Sequence, residues 1–283
     1  MVSNVLIGDA LRMLQTFPDG SVQCCVTSPP YFGLRDYSRD GQIGLEATPE
    51  LYVTKLVAVF REVRRVLRDD GTLWLNLGDC YNGSGKGQSA TGENDPKKRK
   101  TRGMKVPVAG IGKLKHKDLI GIPWRVAFAL QANGWYLRQD IIWQKPNPMP
   151  ESVTDRCTKA HEYIFLLSKS PQYFFDAHAI KEDAVWDVDG TGRIKRNKRS
   201  VWTVATKAYS GPHCAAFPSD LIAPCILAGS PEGAVVLDPF LGSGTTAMVA
   251  KQLKRRFVGI ELNASYLPLI DRRLDSAEVT CVA

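Results

Sequence analysis

The stretch Val236-Leu237-Asp238-Pro239-Phe240-Leu241-Gly242-Ser243-Gly244-Thr245-Thr246 runs from an apolar strand through a glycine turn into the start of a helix. Gly242 and Gly244 have no Cβ atom, so the backbone can adopt left-handed conformations there and a ligand can approach it closely. The following helix begins with free backbone amides, which suit an anionic group. No Gly-Lys-Ser/Thr follows the turn, so the stretch is not a P-loop. Strand, glycine turn and helix in this order are typical of a nucleotide-type cofactor site.

Hydroxyl and carboxyl side chains surround that turn. Ser243, Thr245 and Thr246 are candidate N-caps of the helix. Asp238 ends one strand, and Glu261 ends the next strand, seventeen residues after the second glycine of the turn. An acid at the end of that second strand characteristically accepts hydrogen bonds from both ribose hydroxyls of a bound nucleoside.

A second motif follows the apolar strand Val22–Val26 and reads Thr27-Ser28-Pro29-Pro30-Tyr31. Its two prolines fix their φ angles, so the carbonyl of the first one is held in one direction. Ser28 places a hydroxyl next to that carbonyl, and Tyr31 adds a flat aromatic face. The turn therefore predicts two preorganised hydrogen-bond acceptors beside a stacking surface.

Together, the two motifs resemble the catalytic and cofactor motifs of the DNA amino-methyltransferases. The catalytic motif precedes the cofactor motif, which resembles the β arrangement of that family, and the resemblance spans most of residues 4–275. It implies that S-adenosylmethionine (SAM) donates a methyl group to an exocyclic amino group of a base flipped out of double-stranded DNA. In this family Ser before Pro-Pro-Tyr accompanies cytosine more often than adenine, but adenine enzymes with Ser are also known. The choice between adenine N6 and cytosine N4 is left open.

The resemblance also implies residue roles. Ser28 Oγ and the Pro29 carbonyl accept the hydrogens of the target amino group, Pro30 helps to hold the turn, and the flipped base stacks on Tyr31. The residues implied in SAM binding are Asp9, Thr27, Phe217, Pro218, Asp238, Pro239, Phe240, Gly242, Ser243, Gly244, Thr245, Thr246 and Glu261.

Some of these positions have a more ordinary interpretation. Asp9 faces the adenine amino group of SAM by resemblance, but it can also cap the short helix that follows it. Phe240 is implied to pack on the cofactor, and the Phe217-Pro218 pair to lie against its methionine end. Pro224-Cys225 matches the nucleophile of cytosine-C5 enzymes in letters only, because it lies within an apolar helix and is expected to pack in the core.

Strands alternate with helices along the chain, which predicts one α/β domain over residues 1–283 with a doubly wound, mostly parallel, Rossmann-like sheet. The predicted strands are 4–8, 22–26, 72–77, 135–143, 161–168, 234–238 and 257–261. The predicted helices are 10–15, 52–67 with its end at Asp70-Gly71, 123–134, 219–228, one from Ser243 and 265–274.

The net charge of +8 is concentrated in one segment. Residues 86–117 carry ten Lys and Arg against Glu93 and Asp95, an excess equal to the net charge of the whole chain. Such a segment favours a polyanionic partner, although a solvated loop is the simpler alternative. We interpret 84–118 as a basic loop insertion and 184–212, by resemblance, as a target-recognition insertion.

The candidate DNA-binding residues come from both insertions and from the edge of the sheet. They are Arg35, Lys97, Lys98, Arg99, Lys100, Arg102, Lys145, Arg193, Lys195, Arg196, Lys198 and Arg199. Arg35 can instead pair with Asp36. Trp202, in the second insertion, contacts DNA or belongs to the core, and flanking valines favour the core.

Seven cysteines form no C-x-x-C pair and no metal-ligand pattern, which predicts a reducing compartment and no metal. Lack of a long apolar run predicts a cytoplasmic protein with no membrane partner. Three other functions remain open: RNA or protein amino-methylation, a non-catalytic nucleic-acid-binding subunit, and a nicotinamide oxidoreductase. Many members of the resembling family pair as homodimers, and the sequence leaves the oligomeric state open.

Overall fold

The computed structural model describes residues 3–37, 39–83, 114–184, 195–206 and 217–277. Ten strands are found within these ranges. They are β1 (Asn4–Ile7), β2 (Val22–Thr27), β3 (Leu67–Leu77), β4 (Tyr136–Gln144), β5 (His161–Ser168), β6 (Glu182–Asp183), β7 (Lys195–Arg196), β8 (Val201–Thr203), β9 (Val235–Asp238) and β10 (Arg256–Glu261). The helices are α1 (Ala10–Leu14), α2 (Pro49–Val66), α3 (Ile122–Ala132), α4 (Ser219–Gly229), α5 (Thr245–Gln252) and α6 (Leu267–Asp275), the last preceded by a 3-10 turn at Ala264–Tyr266.

Eight of the strands form one sheet in the order β1-β10-β9-β2-β3-β5-β4-β8. Only β5 runs against its neighbours, since it pairs antiparallel with both β3 and β4, while the other pairs are parallel. The predicted α/β class with a mostly parallel sheet is therefore confirmed. The remaining strands, β6 and β7, form a separate antiparallel pair.

The sheet has a hydrophobic core on each face, because neighbouring residues of its central strands point to opposite sides. Cys25 and Leu237 pack with the apolar faces of α1, α2 and α3. Cys24 and Val236, one residue earlier in the same strands, pack with α4 and α5 on the other face. Such double cover requires continuous apolar strands, and β2 is buried along its whole length.

The predicted end of the long helix at Asp70-Gly71 is wrong. Helix α2 ends at Val66, and the chain continues directly into β3, which is longer at its start than predicted. Leu67 is fully buried and pairs with Val22, so this turn of polar residues belongs to the sheet. A Cβ on Gly71 would lie 3.0 Å from the Gln23 carbonyl, which shows that the glycine permits a close approach of two strands rather than a helix stop.

The interpretation of Trp202 as a core residue is confirmed. It lies in β8, is buried, and packs 6.5 Å from Trp74 between ring centres. Three residues of the proposed target-recognition segment thus form the edge strand of the main sheet. Cys225 is also buried, in α4, as expected of a core residue.

Among the described residues, no helix combines the length and the apolar character needed to cross a membrane. The same part of the chain contains no group of three or more His, Cys, Asp or Glu side chains placed to hold a metal ion.

Candidate active site

The carboxyl ends of β1, β2, β9 and β10 meet at one edge of the sheet, where ligands bind in open α/β folds. A cavity of about 820 Å³ opens there. It brings together both sequence motifs, although 210 residues separate Ser28 from Asp238. The predicted residues that line it are Asp9, Ser28, Pro29, Pro30, Tyr31, Arg35, Lys145, Phe217, Asp238, Pro239, Phe240, Gly242, Ser243, Thr245 and Glu261. Four predicted cofactor residues, Thr27, Pro218, Gly244 and Thr246, do not line it.

Asp238 is the hub of hydrogen bonds at the cofactor end of the cavity. Its Oδ1 accepts from Thr27 Oγ1 at 2.6 Å and from the Phe240 amide at 3.0 Å, and its Oδ2 accepts from Thr246 Oγ1 at 2.6 Å. Thr27 and Thr246 therefore act on the cavity through this carboxyl group. Burial raises the pKa of Asp238 to about 6, and the three hydrogen bonds oppose that rise.

Glu261 is the second buried acid of the cavity. Its two oxygens accept hydrogen bonds from the Gly242 amide at 2.8 Å and the Asn263 amide at 2.7 Å. The carboxyl group thus ties the glycine turn to the end of β10. Burial raises its pKa to about 7, while the backbone amides oppose the rise and the Asp238 charge adds to it.

The prediction that Ser243, Thr245 or Thr246 caps helix α5 is wrong. Gly244 is the N-cap residue, with a φ of +87°, and no side chain caps the helix. Thr246 donates to Asp238 instead, and Thr245 Oγ1 accepts from Arg273 at 2.8 Å. The hydroxyl of Ser243 is buried at the cavity without a hydrogen-bond partner among the described residues. A buried polar atom of this kind usually meets a ligand or water.

The other predicted cofactor residues surround this centre. Asp9 caps α1 by accepting from the Arg12 amide at 2.9 Å, so its ordinary interpretation is confirmed, and the residue also lines the cavity. Phe240 packs edge-to-face against Phe60 at 6.5 Å between ring centres. Phe217 is half-buried at the cavity, and Pro218 precedes the first turn of α4.

At the catalytic end, Tyr31 is held by its hydroxyl. This group donates to Glu162 Oε2 at 2.6 Å, lies 3.1 Å from Asn76 Oδ1, and is within 3.5 Å of Ser28 Oγ. Burial, followed by the charge of Glu162, raises the pKa of Tyr31 well above its usual value, so the hydroxyl remains a proton donor. A Cβ at Gly78 would lie 2.5 Å from Tyr31 Cε2, so the tyrosine ring occupies space that this glycine leaves empty.

The proline turn is fixed by a neighbouring helix. Tyr52, buried in α2, donates its hydroxyl to the Pro30 carbonyl at 2.8 Å. No described residue donates a hydrogen bond to the carbonyl of Pro29. Since Pro29 lines the cavity, its carbonyl remains available to accept a hydrogen bond from a ligand.

Lys145 lies inside the cavity instead of on an outer DNA-binding surface. It forms an ion pair with Glu162 Oε1 and lies 4.3 Å from the centre of the Trp143 ring. Asn76 donates to Glu162 Oε2 at 3.2 Å, so Glu162 joins Tyr31, Lys145 and Asn76 in one network. Sequence reasoning missed Asn76, Trp143 and Glu162. A polar Asn inside the apolar β3 was the available signal.

The predicted DNA-binding residues divide into three groups. Arg35 and Lys145 line the cavity. On the β6–β7 pair and after it, Arg196 and Arg199 bind Glu182, Lys195 binds Asp183, and Lys198 lies over the Trp202 ring. The remainder lie outside the described residues, namely Lys97, Lys98, Arg99, Lys100, Arg102 and Arg193.

An acid-lined crevice at the carboxyl edge of a Rossmann-like sheet, opening on a Ser-Pro-Pro-Tyr turn, defines a nucleotide-type methyltransferase. A family model described as DNA methylase matches residues 22–272. The Type II methyltransferase M.Cfr9I of Citrobacter freundii is 50% identical over 97% of this chain and 88% of its own length. M.XycI of Xanthomonas campestris pv. cyanopsidis is 53% identical over 96% of this chain and 87% of its own. The chain therefore belongs to the DNA amino-methyltransferase family, whose methyl donor is SAM.

Solved structures share the fold. The PvuII cytosine-N4-specific DNA methyltransferase superposes with a TM-score of 0.69 at 20% identity, over 96% of this chain and 86% of that one. The SAM complex of TTHA0409 from Thermus thermophilus, a DNA modification methylase by its description, superposes with a TM-score of 0.65 at 23% identity. That match covers 98% of this chain and 95% of the other.

Proposed function

We propose that this protein is a site-specific DNA methyltransferase that methylates adenine N6 or cytosine N4 of a base flipped out of the duplex. The observation that carries the proposal is the shared cavity, in which the Ser28–Tyr31 turn and the acids Asp238 and Glu261 line one space. The relatives are named Type II methyltransferases, which supports a role in restriction–modification. The basic segments at 84–118 and 184–212 are proposed to bind the DNA, and two chains are proposed to pair.

The residues at the cofactor end fit SAM. An ionised carboxylate has about four acceptor positions, and three protein donors reach Asp238, which leaves one for the methionine ammonium group. Glu261 is proposed to accept from the ribose hydroxyls. The unpartnered Ser243 hydroxyl and the uncapped start of α5 suit the methionine carboxylate.

The catalytic end fits an amino group. Its nitrogen is a poor nucleophile because the lone pair is delocalised into the ring of the base. Ser28 Oγ and the Pro29 carbonyl are proposed to accept its two hydrogens, which favours a tetrahedral nitrogen directed at the methyl group. When bound, SAM supplies a methyl group on a cationic sulfur, so no covalent enzyme intermediate is required.

SAM affinity is expected to fall as the pH is lowered from 7.5 to 5.5. The pKa values of Glu261, about 7, and Asp238, about 6, mean that both acids begin to protonate in this range. The cofactor favours their ionised forms, so protons must leave when it binds, and Kd rises by up to about tenfold per pH unit for each acid. Calorimetric titration in buffers of different ionisation enthalpy measures both the affinity and the protons released.

Replacing Glu261 by Gln should remove the upper part of this pH dependence while Asp238 retains the lower part. The range stops at pH 7.5 because the α-amino group of the cofactor titrates above it, at about 7.7–8.0. An affinity that is constant with pH would contradict the proposed contacts of both acids.

The proposed function is tested by incubating the protein with SAM and unmethylated genomic DNA, followed by nucleoside mass spectrometry. N6-methyladenine or N4-methylcytosine is the expected product, and its identity decides the base. Sequencing the methylated DNA then gives the recognition site. Neither product, with SAM binding verified, would contradict the proposal and favour an RNA or protein substrate or a non-catalytic subunit.

A further inference from the structure

The segment after β4 forms a stiff rim of the active-site cavity. Residues 145–150 read Lys-Pro-Asn-Pro-Met-Pro, with a proline at every second position, so half of the φ angles are fixed. The Asn147 side chain also binds the backbone of Thr206 twice, donating to its carbonyl at 3.0 Å and accepting from its amide at 2.8 Å. At the start of the rim, the Lys145–Glu162 ion pair fixes the chain to the catalytic network. The rim is therefore held from both directions.

This rim presents an exposed apolar side chain. Met149 lines the cavity, yet 75% of its surface is exposed. Full burial of a methionine side chain is worth about 1.5–3 kcal/mol, and that gain is forgone here. A flexible loop would fold such a residue inward, but the prolines and the Asn147 clamp prevent this. Exposure on a braced rim indicates that the side chain meets a partner when the cavity is in use.

We propose that Met149 enters the DNA duplex and fills the space left by the flipped target base. This inference rests on the proposed function. Flipping leaves a gap in the base stack and costs a few kcal/mol of lost pairing and stacking. Apolar wedges, methionine included, are inserted between bases by several classes of DNA-binding protein. The unbranched thioether adapts to irregular surfaces, and the braced loop has little freedom left to lose on binding.

Replacing Met149 by Ala tests this on short duplexes that contain the recognition site found by sequencing. The target base is replaced by a fluorescent analogue, 2-aminopurine for adenine or pyrrolocytosine for cytosine, whose emission rises when it leaves the stack. We expect about tenfold weaker flipping and single-turnover methylation on the fully paired duplex, equivalent to about 1.4 kcal/mol of lost stabilisation. SAM affinity should not change.

A second duplex has an abasic site opposite the target, so the base is already unpaired. If Met149 fills the gap, M149A should recover to within about threefold of wild type on it, because the unpairing energy is no longer required. An equal loss on both duplexes, or no loss on either, would overturn the proposal. Failure of the proposed function is distinguishable, since wild-type protein would then methylate neither duplex.

Two variants serve as controls. Leu51→Ala removes an apolar side chain of similar exposure, 53%, from helix α2 outside the cavity, and is expected to behave as wild type. Leu34→Ala removes the exposed apolar residue that lines the cavity after the catalytic turn. Recovery on the abasic duplex by L34A but not by M149A would overturn the assignment to Met149.

Discussion

Alanine in place of Tyr31 is expected to lower kcat about 100-fold or more and to leave the Kd for SAM within a few-fold. The ring supplies stacking to the flipped base, worth about 1–3 kcal/mol, and misplacement of the reacting nitrogen adds a further loss. Its contacts are Glu162, Asn76 and Ser28, none of which lies among the cofactor acids. Single-turnover rates with saturating SAM, together with equilibrium binding of SAM, separate the two quantities.

Tyr31→Phe and Glu162→Gln are the matched variants for the hydroxyl. Tyr31→Phe retains the ring but loses its 2.6 Å hydrogen bond, so we expect a smaller loss, of about tenfold. If Glu162 acts by holding Tyr31, the double variant should lose little more than the worse single variant. Parallel loss of kcat and SAM affinity in Tyr31→Ala would remove this residue from the base pocket.

Local motifs made the two halves of the site predictable. The strand, turn and helix of 236–246 and the Ser28–Tyr31 turn each lie within a few neighbouring residues, so their chemistry can be read from consecutive letters. The anchor of Tyr31 was not predictable in this way, because Asn76 and Glu162 lie 45 and 131 residues away along the chain. Placing Lys145 at the functional edge was sound, but its ion pair with Glu162 required the fold.

The sheet was predicted by class but not by direction. Buried parallel and buried antiparallel strands are both short apolar runs, so β5 gave no sign that it runs against β3 and β4. The same limit applies to the caps of α5. Local preference favours a hydroxyl cap, but tertiary partners took two of the hydroxyls, Asp238 that of Thr246 and Arg273 that of Thr245.

Replacing Asp238 by Asn is expected to change stability and SAM affinity in opposite directions. Burial moves the pKa of this carboxyl from 3.8 to about 6, so the folded protein without cofactor binds its proton more tightly than the unfolded chain does. A raised pKa in the folded state means that stability is lost as the pH rises from about 4 to 6, by on the order of 3 kcal/mol. Asparagine mimics the protonated acid and escapes this loss.

The surrounding hydrogen bonds can accept the amide. Its oxygen keeps the Thr27 and Phe240 donors, and its nitrogen donates to Thr246 Oγ1. That hydroxyl then turns to the Val26 carbonyl, which already lies 3.4 Å away. We therefore expect thermal unfolding of the cofactor-free variant to occur at a higher temperature than wild type at pH 8, with the difference shrinking towards pH 5. Asp271→Asn, an exposed change of the same kind on α6, should show neither effect.

Affinity should move the other way, because the methionine ammonium group loses a charged acceptor. Hydrogen bonds to charged groups contribute about 1.5–3 kcal/mol, so the Kd for SAM is expected to rise by about 10- to 150-fold. A variant that is both less stable and weaker in binding would mean that the carboxylate is structural, with no charge contact to the cofactor. A buried acid retained at the expense of stability is, on the expected result, held there by the ligand that it binds.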